Sequence, residues 1–165
     1  LDYYLLNGFK LAPVASHDNH FANWGTGHTS RTVIHAESLT EFDLMAAMNE
    51  RAVFASEDQN LDIRFYADGR IRAGGVMRTL DASVSIEWRF SDPDFADNYE
   101  VTIWGGTVGG EMREIAQIGE VTADEWHTFD IPLDGVGQHF VYLEVLQPGP
   151  DRMAWTAPIW IEREN

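Results

Sequence analysis

A chain of 165 residues, 44% hydrophobic and 12% aromatic, is long enough for one ordinary domain or two small ones. Folding at this size removes roughly 70% of the extended surface from water, which excludes wholesale disorder. No run approaches the roughly 20 apolar residues of a membrane helix, and a formal charge of −16 repels phosphate backbones, so neither a membrane span nor a nucleic-acid partner is expected.

The opening stretch, LDYYLLNGFK, carries no basic segment followed by an apolar one and starts at leucine. It reads as part of a longer protein with no visible signal peptide, soluble and either cytoplasmic or exported. With no cysteine, disulfides and thiolate metal ligands are both excluded and the redox compartment is undetermined. The basic residues are arginines except for Lys10. An acidic, lysine-poor surface suits a high-salt environment or, more plainly, a protein with ordinary self-repulsion.

Next comes FKLAPVAS, which is apolar, ends in small residues and reads as a buried strand reaching a rim. SHDNH (16–20) follows. In an extended segment positions i and i+2 point the same way, so Asp18 and His20 would direct a carboxylate and an imidazole to one point while His17 and Asn19 face elsewhere. One oxygen and one nitrogen donor suit a borderline divalent ion such as Zn²⁺, Mn²⁺ or Fe²⁺. The competing reading is a polar turn, because Asp and Asn are preferred turn residues. Ser16 lacks the glycine elbow of a serine nucleophile. His28 and His35, seven residues apart, match no ligand pattern and are expected at the surface or behind the ligands.

Thr40 has the chemistry of an N-cap, with Asp43 where a capping box carries Glu or Gln. Leu39, Phe42, Met45, Ala46 and Met48 or Asn49 then recur near a 3.6-residue period, predicting a short amphipathic helix whose methionines pack in the core.

After Asp58 the period becomes two. Leu61, Ile63 and Phe65 alternate with Asp62, Arg64 and Tyr66 up to Asp68-Gly69, a hairpin signal. ASVSIEWRF, YEVTIWGG, REIAQIGEV, EWHTFDIPL, QHFVYLEVLQ and MAWTAPIWIE continue the pattern. About eight short strands without a second helix predict a mainly β protein: an antiparallel β-sandwich preceded by a partial α/β segment with one short helix. The acidic loop SDPDFADN (91–98) is read as a solvated turn, with Ca²⁺ binding as the alternative. GGTVGGE (105–111) lacks the ending of a phosphate loop and reads as a hairpin connection. At strand spacing Trp88, Trp104, Trp126, Trp155 and Trp160 are expected in the core.

Several stretches together resemble one family: NGFKLAPVASHDNHFANWG, the run from Arg31 to Ile71, and MAWTAPIWIE. They are similar to the C-terminal portion of the polymerase-and-histidinol-phosphatase (PHP) metal-dependent hydrolases, in the carbaryl-hydrolase-like branch, where a β-sandwich follows the catalytic barrel. The sharpest match is the last Asp-x-His metal motif, at Asp18 and His20. The Arg-Thr pair at Arg31 and Thr32 and the Arg-x-x-x-Ala-x-Glu-Asp run from Arg51 to Asp58 also match.

The resemblance implies a barrel remnant over 1–58 and a sandwich over 59–165. It implies Asp18 and His20 as ligands of a catalytic divalent metal (Zn, Mn or Fe), Arg31 as a catalytic partner of an anionic substrate group, and Trp24 as a pocket wall. The substrate would be a small phosphoester, ester or carbamate. The family's upstream His-x-His pair and its further ligands are absent, and two ligands fall short of the three that a catalytic zinc usually has. The chain is therefore expected to be inactive by itself, with the remainder of its own barrel as partner. Two other classes stay open: a sandwich module binding carbohydrate or peptide through exposed tryptophans, and a structural or interaction domain. A face of Leu5, Leu6, Phe9 and Val14, exposed without the barrel, would favour a homodimer.

Overall fold

The computed structural model describes residues 1–149 and 151–165. A first helix, α1 (Asp2–Leu6), leads into an irregular segment that ends at β1 (Arg31–Ile34). Helix α2 (Glu41–Asn49) follows, then β2 (Val53–Ser56), β3 (Asp62–Ala67), β4 (Ile71–Arg72), β5 (Val76–Thr79) and β6 (Ser83–Ser91). The remaining strands are β7 (Tyr99–Thr107), β8 (Met112–Val121), β9 (His127–Pro132), β10 (Gly137–Gln147), β11 (Arg152–Thr156) and β12 (Ile159–Arg163).

Period-two alternation turns these strands into a mainly β fold of two sheets. Val84, Ile86, Trp88 and Phe90 of β6 face inward, as do Ile63, Phe65 and Ala67 of β3 and Tyr99, Val101 and Ile103 of β7. They meet Val141, Leu143, Val145, Ile159 and Ile161 in one core. Each such side chain contributes about 1.5–3 kcal/mol on burial. Among the described residues one sheet has the order β4-β3-β6-β9, and the other holds eight strands around β10.

β10 bonds β7 along one edge. Along its other edge it bonds β12 with its first half and β11 with its second. β11 and β12 are in effect one strand interrupted at Ala157-Pro158, where proline has no N–H to continue a ladder. Beyond the break, β11 pairs antiparallel with β2, and β12 pairs parallel with β5.

Main-chain hydrogen bonds carry this sheet across residue 58, where a division was expected. β1 pairs with β2 and β2 with β11, so these two strands belong to the same sheet as the later ones. β1, β2 and β5 escaped the sequence pattern because each is four residues long and β2 is buried on both sides, so nothing alternates.

Both helices correct expectations. α1, which was not foreseen, seats Leu5 fully buried against Phe140, Tyr142 and Trp160 on the outer side of the large sheet, so Leu5 is not part of an exposed face. Phe9 and Val14 are exposed, as expected. In α2 the Thr40 hydroxyl accepts from the Asp43 N–H at 3.2 Å, the foreseen cap. Its methionines are not core: Phe42, Met45 and Met48 are exposed, and the helix buries Ala47 instead, a small residue that permits close approach to the sheet.

The acidic loop is exposed as expected, except at Asp92 and, in part, Phe95. Asp92 is buried, takes the N–H groups of Asp94 and Phe95, and accepts from Tyr99 Oη (2.7 Å) and Gln147 Nε2 (2.6 Å). With its acceptor capacity spent on protein donors, Asp92 is structural.

Gly74 ties the end of α2 to the sandwich. Its φ is +89°, and a Cβ there would lie 2.3 Å from the Arg51 carbonyl oxygen. Gly74→Ala is therefore expected to cost about 2–4 kcal/mol, read as a lowered urea midpoint at unchanged slope. Gly109→Ala, at φ +79° with open space around the Cβ, should cost only about 1 kcal/mol.

Candidate metal-ligand loop

The segment from Ala15 to Ser30 has no regular secondary structure, so its shape rests on side chains. The Thr32 hydroxyl accepts from the Ala15 N–H (2.9 Å) and donates to the Ala15 carbonyl (2.8 Å). The Arg31 guanidinium donates to the carbonyls of Gly25 (3.0 Å), His28 (2.9 Å) and Ser30 (2.7 Å). His17 Nε2 lies 2.8 Å from both Arg31 Nη1 and the Ser30 carbonyl oxygen, and its ring stands edge-on to that of His28 at 5.7 Å. Both members of the Arg-Thr pair thus hold this loop from β1.

Asp18 and His20 meet on the outside of the loop, with His20 Nε2 3.3 Å from Asp18 Oδ1. They do not converge from an extended segment. Asp18 has φ +42°, and Asn19 closes a turn by accepting from the Phe21 N–H at 2.9 Å and donating to Asn23 Oδ1 at 2.8 Å. The turn chemistry belongs to Asn19, leaving the Asp18 carboxylate and the His20 ring facing each other in water. Their side chains are 93% and 82% exposed, so as an ion pair they contribute between about 0 and 1 kcal/mol.

Two donors each about 2.1 Å from a tetrahedral ion stand about 3.4 Å apart. The observed 3.3 Å is close to that spacing. A cavity of about 170 Å³ opens here, lined by His17, Asp18, His20 and His28 among others. No group of three His, Asp or Glu side chains among the described residues converges as a metal site. The described residues therefore do not make up a metal site by themselves. Phe21 and Trp24 project beside it, each more than 75% exposed.

The other expected functional residues are placed as follows. Arg31 is occupied by loop carbonyls, which makes it a positioning residue for the loop in this chain. The Arg51-to-Asp58 run is also scaffolding. Arg51 stacks over Trp160 and donates to the Gly74 carbonyl. Glu57 accepts from the Met153 N–H, and buried Asp58 pairs with Arg152. Burial opposes the charged form of Asp58, but hydrogen bonds from Asn60 and Arg152 outweigh it and hold the carboxyl below its usual range.

His35 is neither at the loop nor free at the surface. Its Nε2 meets Asp62 Oδ1 at 2.7 Å, and its ring rests on Phe54. Of the indoles, Trp88 and Trp160 are buried, Trp104 and Trp155 lie partly covered beside α1, and Trp126 is exposed next to Tyr66. Sequence reasoning missed the Asp62–His35 pair because its partners, one just past β1 and the other on β3, are 27 residues apart with no spacing to mark them.

No protein-family model matches the chain, and no curated protein is similar to it. Among solved structures, the soluble domain of PmoD from Methylocystis sp. ATCC 49242 (Rockwell) superposes with a TM-score of 0.41 at 6% identity, over 61% of this chain and 90% of that one. A likeness at that level carries no argument. No helix among the described residues is long and apolar enough to cross a membrane.

Arg31→Gln removes a charged donor set that joins three carbonyls, worth about 1.5–3 kcal/mol. It is expected to speed proteolysis and amide exchange between residues 17 and 30 while the sandwich strands keep their protection. Burial also opposes charge on Asp62, but the hydrogen bond and charge of His35, with Arg64, hold its carboxyl below the usual range. A carboxyl depressed in the folded state stabilises above its unfolded pKa, and that contribution is lost as pH falls through the folded value. The stability gap between wild type and Asp62→Asn should be widest near neutrality and close below about pH 4 in thermal melts.

Proposed function

We propose that this chain is the C-terminal part of a PHP-type metal-dependent hydrolase, supplying Asp18 and His20 to a divalent ion whose other ligands come from the remainder of the barrel. One observation carries the reading. A carboxylate and an imidazole stand 3.3 Å apart on an exposed loop, free of turn bonds, while Arg31 and Thr32 shape the loop beneath them. A bound divalent ion supplies hydroxide near neutral pH and polarises the bond under attack, suiting hydrolysis of small phosphoesters, esters or carbamates. In this scheme Asp18 and His20 hold the ion, and Phe21 and Trp24 flank it as an apolar wall.

The apolar surface fits a missing partner. Phe9, Val14, Phe21 and Trp24 are exposed in and before the loop, and Leu39, Phe42, Met45 and Met48 on and beside α2. Side chains of this kind are ordinarily covered, here by the rest of the enzyme. A second reading, a sandwich binding sugar or peptide, has Trp126 beside Tyr66 in its favour, one exposed indole apart from Trp24 on the loop rather than a strip of them.

Titration of Zn²⁺ or Mn²⁺ into the chain, followed through the histidine ring signals, tests the proposal. Weak binding is expected at His20, lost in both Asp18→Ala and His20→Ala with the melting temperature unchanged. Tight stoichiometric metal that survives both substitutions would place the ligands elsewhere and end this reading.

A further inference from the structure

At the seam between β8 and β9 two edge strands lie side by side with no ladder between them among the described residues. β8 pairs with β7 alone and β9 with β6 alone. Ile115 and Phe129 stand half-exposed in the seam. A cavity of about 220 Å³ opens beneath it, reaching Ile131, Val141 and Ile161 of the core, and a groove of about 400 Å³ runs along it between Arg113–Ile115 and Phe129–Asp134.

The β9 edge has free main-chain groups, and their identity follows from the ladder. Leu133 N–H donates to the Ala82 carbonyl, and Pro132 stands opposite Ser83. In an antiparallel ladder successive residues alternate between bonding the partner and facing away. Phe129, Ile131 and Leu133 therefore bond toward β6, and Thr128, Asp130 and Pro132 face out. Proline at an outward position costs no ladder bond. The N–H and C=O of Thr128 and Asp130, with the Pro132 carbonyl, are left for another chain. β8 is a poorer template, since its pairing with β7 carries two irregularities and Glu120 has a φ of +58°, which break the regular spacing an added strand needs.

Charge selects the occupant. Glu111, Glu114, Asp130 and Asp134 line the groove and cavity against Arg113 alone, which is already paired with Asp134 at 2.6 Å. The chain's own charge of −16 opposes a second copy. We infer that β9 accepts an extended, cationic segment of a partner protein as an added strand. Alternate aliphatic side chains of that segment enter the seam beside Ile115 and Phe129, and basic ones lie along Asp130. Main-chain bonds supply affinity and the alternating side chains supply specificity, the usual division in strand addition.

The test uses the isotope-labelled full chain and a terminally blocked hexapeptide alternating lysine and isoleucine. Amide shifts are expected at Thr128, Asp130 and Arg113–Ile115. Binding should weaken by about tenfold or more when the lysines become glutamates, and equally when alternate peptide nitrogens are methylated at unchanged charge. Thr128→Pro removes an outward N–H while leaving the β6 ladder intact, and should cause the same loss with the melting temperature little altered. Should that variant not fold, Asp130→Lys is expected to shift preference toward the glutamate peptide. Equal binding of the methylated peptide, shifts centred on another edge, or no shifts at millimolar peptide would overturn the proposal.

Discussion

The architecture depends on how one long strand is bonded. β10 has β7 on one side and, on the other, two strands in succession, because the chain loses its ladder donor at Pro158. That interruption lets β11 leave toward β2 while β12 leaves toward β5, so a single hydrogen-bonded surface collects strands from both ends of the sequence. β2 brings β1 with it, and β1 carries Arg31 and Thr32. The Asp18–His20 loop is thus tied, through β1, β2 and β11, to strands from the other end of the chain.

The polar interactions divide by burial. Inside, Asp92 is saturated by two amide N–H groups, a phenol and a carboxamide, and Asp58 is locked to Arg152. Removing either carboxylate would strand buried donors, so these acids belong to the fold. Outside, Asp18 and His20 touch each other and otherwise water, contributing little to stability and leaving their lone pairs for something else. Burial is what separates an acid that builds this structure from one that can serve chemistry.

How far the residues announced this is visible in particular cases. Ile63-Phe65-Ala67 and Val84-Ile86-Trp88-Phe90 show their inward faces by alternation alone, because one side of each strand meets the opposite sheet and the other meets water. The Thr40 cap and the Asp68-Gly69 turn, with φ values of +47° and +64°, were legible because the requirement is local. β2 was not, since a strand buried on both faces has no period to read. Met45 and Met48 misled because an amphipathic stripe says which side is apolar and not whether anything covers it. The pairing of Asp18 with His20 was anticipated for an incomplete reason: their convergence comes from an Asn19 turn and a left-handed Asp18, not from extended geometry.

Local rules were sufficient for the strand-rich class, the cap and the hairpin, since each depends on residues within a few positions of one another. The tertiary structure alone decided that β1 and β2 join the large sheet, that Leu5 is core while Phe42 is not, that Arg31 spends its donors on the loop, and that β9 has a free edge. Those outcomes turn on which distant segments compete for the same hydrogen bonds and the same apolar surface. That competition is settled only when the whole chain is packed.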